Sequence, residues 1–234
     1  MLREIEKDAQ LSCDWTGKSV LASEVMAALR EVPRHLFVPG SLQPFAYENG
    51  PLSIGYGQTI SQPFIVALMT DFLNPRPDSV ILEVGTGSGY QTAVLSVLVR
   101  QVYSTEIVPE LASRAARLLE KLDHANAEIR LGDGYFGWPE HAPYDGIIVT
   151  AAAPVVPPDL VRQLKPGANL VIPVGEPLSH QELMVIRKKA DGKIATRNIL
   201  SVAFVPLTGS HDGPEDQSYG DIDPTAKRIR DREV

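Results

Sequence analysis

Between residues 79 and 174 short β-rich runs alternate with helix-patterned runs, and this alternation constrains the fold more than any other feature of the chain. The runs SVILEVG (79–85), VYSTEI (102–107), AEIRLGD (127–133), YDGIIVTAA (144–152) and ANLVIPVG (168–175) read as strands, with helical patterns at 88–99, 109–122 and 157–164. Ile147-Ile148-Val149 and Leu170-Val171-Ile172 are continuously apolar, as expected of strands covered on both faces. Strand–helix alternation of this kind predicts an α/β fold with a doubly wound, mostly parallel sheet. Two further runs, ELMVIRKK (182–189) and ILSVAFVPL (199–207), flank Ala190-Asp191-Gly192-Lys193, a hairpin signal that predicts an antiparallel pair closing the sheet.

The N-terminal third has a different texture. Residues 19–30 carry apolar side chains at helical spacing, ending before Pro33. Residues 33–63 lose periodicity and hold five prolines and four glycines, so they read either as a lid or binding loop or as a surface wrap. The chain of 234 residues fits one domain. Its expected parts are a cover over 1–63, a core over 64–208, and a polar tail over 209–234 with a short helix at 225–233.

Composition removes several classes of function. With 22 basic and 29 acidic residues the net charge is −7, which gives no general attraction to phosphate backbones, and nucleic acid is not an expected partner. Cys13 is the only cysteine, so neither an internal disulfide nor a cysteine-rich zinc site can form. His35, His124, His141, His180 and His211 are scattered without ligand spacing, and no metal is expected. Met1–Asp8 is mixed in charge and no apolar run approaches the roughly 20 residues of a membrane span. A cytoplasmic, monomeric protein is the expectation.

The chemistry concentrates at Val80-Ile81-Leu82-Glu83-Val84-Gly85-Thr86-Gly87-Ser88-Gly89-Tyr90, an apolar strand running into a glycine-rich turn and a helix. Glycines there let backbone N–H groups approach a ligand closely from a helix N-terminus. Tyr90 stands where a dinucleotide fingerprint has its third glycine, which counts against a nicotinamide cofactor. Glu106 ends the second strand about twenty positions after Gly85, where a carboxylate can bond both hydroxyls of a ribose. Asp133, before Gly134, closes the third strand at the same edge of the sheet. Singly, Glu106 is as well read as a solvated strand end and Asp133 as a turn former. At successive strand ends they favour a nucleoside site.

These residues resemble an S-adenosylmethionine methyltransferase, and longer blocks resemble the protein-L-isoaspartate O-methyltransferase family in particular. The blocks are Val32–Pro39, Ala46–Leu52, Gly57-Gln58-Thr59-Ile60-Ser61-Gln62-Pro63, Glu83–Thr92, Thr150–Pro154 and Val205–Thr208, so the likeness spans about residues 19–208. Gln58–Pro63 is the most specific, since generic methyltransferases share the glycine-rich turn but not this block. The resemblance implies a Rossmann-like fold and methylation of the free carboxylate of L-isoaspartyl residues, and of D-aspartyl, in damaged proteins or peptides. It implies S-adenosylmethionine as cofactor, held by Glu83, Gly85, Thr86, Gly87, Ser88, Glu106, Asp133, Gly134 and Thr208. The family's active-site serine falls on Ser61, with Thr59 in the same loop. Both would orient the acceptor, because a carboxylate with a pKa near 4 is ionised at neutral pH and needs no general base. Ser61 before Gln62-Pro63 and an apolar run also reads as a helix N-cap, and both roles can coexist. Leu164-Lys165-Pro166-Gly167 departs from the family's paired glycines, and nothing beyond Thr208 aligns. A relative with one dedicated peptide substrate and a noncatalytic cofactor-binding module are the competing readings.

Overall fold

The computed structural model describes residues 1–176 and 179–209, so the tail helix expected at 225–233 lies outside the described residues. Three helices open the chain, α1 (Leu2–Leu11), α2 (Cys13–Thr16) and α3 (Ser23–Glu31). Two 3-10 turns at Arg34–Phe37 and Gly40–Phe45 lead to β1 (Leu52–Gly55), β2 (Gln58–Ile60) and α4 (Pro63–Leu73). The core continues with β3 (Val80–Val84), α5 (Tyr90–Leu98), β4 (Gln101–Glu106), α6 (Pro109–Lys121), β5 (Ala127–Leu131) and β6 (Tyr144–Val149). It ends with α7 (Pro158–Arg162), β7 (Leu164–Val174), β8 (Gln181–Lys188) and β9 (Ile194–Val202).

Seven strands form one sheet in the order β5-β4-β3-β6-β7-β8-β9. The pairs from β5 to β7 are parallel, and β8 runs antiparallel to both β7 and β9. Alternate residues serve opposite faces, as the period of a strand requires. Ile81, Ile148 and Val171 pack with Ile5, Leu29, Leu68 and Val94 on one face. Leu82, Ile147 and Leu170 pack with Tyr144 and Leu160 on the other. Two covered faces account for the unbroken apolar runs in the central strands.

Two expectations need correction. The segment 33–63 is not without regular structure, because β1 and β2 pair antiparallel across a tight turn at Tyr56-Gly57. That turn has left-handed backbone at both residues (φ 55° and 72°), and Tyr-Gly is a weak signal for it beside Asn-Gly. The last strand starts at Ile194 rather than at 199, since Lys188 pairs directly with Ile194 across the turn. As the outer strand it exposes Arg197 and Asn198, which hides its periodicity, and residues 203–207 leave the sheet. Trp15 is exposed, whereas Trp138 is buried.

The N-terminal helices are clasped to the core by charge. Lys18 forms an ion pair with Asp71 of α4, whose Oδ1 also accepts the Ala22 N–H at 2.7 Å. From β9, Arg197 donates to the Thr16 carbonyl at 2.7 Å and lies over the Phe72 ring. Asp71 is buried, so losing it strands a cation and an amide together. Asp71→Ala is expected to lower unfolding free energy by about 2–3 kcal/mol, read as a reduced urea midpoint at unchanged slope.

Candidate active site

A cleft opens at the carboxyl ends of the parallel strands. It sits at the end of β3, which has β4 on one side and β6 on the other, the switch point at which sheets of this class bind ligands. Val84 and Gly85 form its apex, Thr105 and Glu106 one wall, Thr150 and Ala151 the other. Gln58–Ser61 and Val205–Thr208 complete the rim.

The apex is built by glycine. Gly85 has φ 93°, and a Cβ there would strike the Thr150 hydroxyl. That hydroxyl donates to the Gly85 carbonyl at 2.5 Å, tying the turn to the end of β6. Glu106 lies beside the turn with 6% exposure. Its Oε2 accepts the Gly87 N–H at 2.7 Å and its Oε1 the Val108 N–H at 3.0 Å. The expected strand-end carboxylate is therefore held in the cleft wall by backbone donors.

Glu83 does something else. It has no exposure and does not line the cleft, which corrects its assignment to direct cofactor contact. Its Oε2 accepts from Thr92 Oγ1 of α5 at 2.5 Å and from Ser104 Oγ of β4 at 2.8 Å. Ser104 Oγ in turn shares a 2.6 Å hydrogen bond with Thr86 Oγ1. Burial, with Glu106 adding repulsion, pushes the Glu83 carboxyl up to about 8 despite the two hydroxyl donors. A neutral acid thus fastens turn, strand and helix from behind.

Ser61 is not the N-cap of α4. Gln62 holds that position without a side-chain cap bond. The Phe64 N–H instead donates to Asn49 Oδ1 at 3.0 Å, and Asn49 Nδ2 donates to Asp8 Oδ2 of α1 at 2.7 Å. With the orphan amide of the helix satisfied from the cover, Ser61 lines the cleft. Its backbone is held by Arg34, which is wholly buried and donates to the carbonyls of Ser61 at 2.8 Å and Ala46 at 2.9 Å. The guanidinium also lies 4.9 Å from the Tyr90 ring centroid. Burial lowers its pKa to about 10, so it stays charged at neutral pH. Sequence reasoning missed Asn49 and Arg34. Both stand in the blocks that carry the family resemblance, and a lone arginine beside Pro33 was the available signal.

Thr59, Ser61, Gly85, Thr86, Gly87, Ser88, Glu106, Gly134 and Thr208 all line the cleft. Asp133 caps the 3-10 turn at Gly134–Phe136 by accepting the Tyr135 N–H at 2.9 Å, so its turn-forming role is present. Its carboxylate also approaches Gly209.

A doubly wound sheet carrying this cleft and glycine turn defines a Rossmann-like methyltransferase architecture. Residues 7–212 match the family described as Protein-L-isoaspartate(D-aspartate) O-methyltransferase. Protein-L-isoaspartate O-methyltransferase 2 of Nitrosococcus oceani is 56% identical over 214 residues, covering 92% of this chain and 97% of the relative. Its namesake in Syntrophobacter fumaroxidans is 56% identical over 211 residues, covering 90% and 85%. A solved protein-L-isoaspartate O-methyltransferase superposes with TM-score 0.77 at 29% identity, covering 89% of this chain and 66% of that one. A Plasmodium falciparum structure described as a putative enzyme of this name, in complex with S-adenosyl-L-homocysteine, gives TM-score 0.71 at 25% identity, covering 88% and 97%. The chain belongs to the protein-L-isoaspartate O-methyltransferase family.

The Glu83 carboxyl makes stability depend on pH. Between its ordinary 4.5 and about 8, the folded chain keeps a proton that the unfolded chain releases. Stability therefore falls as pH rises through that window, by about 5 kcal/mol at most. Glu83→Gln, which cannot ionise, should remove this slope and be the more stable protein at pH 8.5. Urea titrations of both proteins from pH 5 to 8.5 check it, and parallel curves would contradict it.

Proposed function

We propose that this chain transfers a methyl group from S-adenosylmethionine to the free carboxylate of L-isoaspartyl residues, and of D-aspartyl, in damaged proteins and peptides. The resulting ester starts repair by closing to a succinimide. The observation that carries the residue assignment is the release of Ser61 from capping into a cleft it shares with the glycine turn. The cleft suits the cofactor: Gly85 leaves no side chain at the apex, and the Glu106 carboxylate faces it as an acceptor for ribose hydroxyls. Gly85, Thr86, Gly87 and Ser88 would hold the amino-acid portion and ribose, with Gly134 and Asp133 toward the base and Thr208 at the rim. When bound, S-adenosylmethionine supplies a sulfonium methyl, an electrophile that an ionised carboxylate oxygen attacks directly.

The protein's share of the chemistry is alignment. Ser61 and Thr59 donate hydrogen bonds to one acceptor oxygen and leave the other free for in-line attack. Arg34 fixes the Ser61 backbone from behind, and the buried Val66 and Met69 of α4 present an apolar wall that limits water. No residue need accept a proton, since the acceptor is ionised at neutral pH. A cytoplasmic setting and a monomeric enzyme belong to the same proposal. Among the described residues no helix is long and apolar enough to cross a membrane.

One peptide made in isoaspartyl and aspartyl forms tests the reaction. The isoaspartyl form should be methylated and its twin nearly inert, because a displacement of about 1 Å can cost on the order of a hundredfold in rate. Equal rates would sink the assignment. Ser61→Ala should leave the unfolding free energy from urea titration within about 0.5 kcal/mol of the parent, having no cap bond to lose, and lower kcat. Ser61→Asp should bind cofactor and be slower still, since its charge repels the acceptor. Glu106→Ala should weaken cofactor affinity by about 1–3 kcal/mol in calorimetry, the scale of a hydrogen bond to a charged group.

A further inference from the structure

An open groove runs away from the cleft between the β1–β2 hairpin and α6. Pro109, Glu110, Ser113, Arg114 and Arg117 line one side, and Tyr56 at the hairpin tip lines the other. The same two segments wall the cleft one step along the chain, through Gln58–Ser61 and through Glu106–Val108. Cleft and groove thus draw their two sides from the same pair of segments. From Pro109 to Arg117 the helix rises about 12 Å, the length of three or four extended residues. A peptide with its reacting residue in the cleft would lay its flank here.

Two observations say what that flank should be. In a chain of net charge −7, Arg114 and Arg117 form no ion pair among the described residues, and Glu110 is the only acid lining the groove. Arg114 fastens the hairpin by donating to the Ile54 carbonyl at 3.1 Å, whereas Arg117 is exposed. The groove is therefore a local positive site on an acidic protein. The second observation is strain. Tyr56 adopts φ 55°, a left-handed conformation that disfavours a bulky residue and suits Asn or Gly, while its side chain is 57% exposed. A strained aromatic that packs little against its own fold points to a contact made with something else.

We propose that this groove receives the residues flanking the modified aspartyl position and selects acidic side chains there, with Arg117 as their charge partner and Tyr56 as an apolar cover. The inference rests on the methyl-transfer reading above and adds a preference that reading does not contain.

The test uses three isoaspartyl peptides that differ only two to four positions from the isoaspartyl residue, carrying Glu, Ala or Lys. At low salt the wild-type KM for the Glu peptide should lie about fivefold below that for the Lys peptide, the scale of an exposed ion pair gained in one and a repulsion met in the other. Arg117→Glu should reverse that order and leave cofactor affinity and melting temperature unchanged. Tyr56→Asn should relax the turn, hold or raise the melting temperature, and raise KM for all three peptides. The proposal is overturned if Arg117→Glu leaves the Glu-to-Lys ratio as in wild type, or if Tyr56→Asn leaves KM unchanged. Fluorescence anisotropy of the same peptides, labelled, reads the groove separately from turnover. Tight, Arg117-dependent binding of the Glu peptide without methylation would reject the reaction and keep the groove. Methylation without any charge dependence would do the reverse.

Discussion

A carboxyl group with no access to water organises the working end of this protein. Glu83 gathers Thr92 from α5 and Ser104 from β4, and through Ser104 it reaches Thr86 in the turn. Three elements that meet at the apex of the sheet are thereby held from inside. The turn they support can then present backbone N–H groups outward, one of them to Glu106. An ionised carboxylate in that place would need donors for both oxygens, and Oε1 has none. Keeping the acid neutral avoids a buried charge, and Oε2 still serves the network as an acceptor.

The cover shows a second separation of tasks. A helix whose first turn abuts an active site needs donors satisfied there, and the nearest hydroxyl is usually taken for it. Here Asn49 reaches across from the 46–50 block and accepts from Phe64, while Arg34 pulls on the carbonyl of Ser61 rather than on its side chain. The wrapped N-terminal third thus works as scaffolding. Asp8 orients Asn49, and the two 3-10 turns hold Arg34 and the Ala46 carbonyl it bonds.

Much of the fold was legible because parallel strands covered on both faces leave unbroken apolar runs, and helices between them leave a 3.6-residue stripe. The order of central elements, the closing antiparallel strands and the glycine turn follow from those patterns. What escaped was outside them. The hairpin at 52–60 turns on Tyr-Gly, and β9 is an exposed edge whose polar residues mask its period. In the site, Thr59, Ser61, Glu106 and the glycines were recognisable as types at strand ends or in a family block. Glu83 was misread because being next to a ligand turn and facing the ligand look alike in one dimension. Asn49 and Arg34 act on partners 15 and 27 residues away, a distance that no local pattern encodes.

The clasp between Arg197 and the Thr16 carbonyl spans 181 positions of sequence. During synthesis from the N-terminus, the first helices therefore emerge long before their anchor exists. At 5–20 residues per second the interval is roughly 10–40 s. Throughout it, α1 and α2 can dock on α3 and α4 but cannot be sealed, so the half-made chain exposes the apolar faces that the finished sheet will cover. Among the described strands β9 is the last to be made, so the Arg197 tie forms only after every other strand of the sheet exists. A truncated product ending before β9 would carry every residue of the cofactor turn and lack the Arg197 tie on its N-terminal cover.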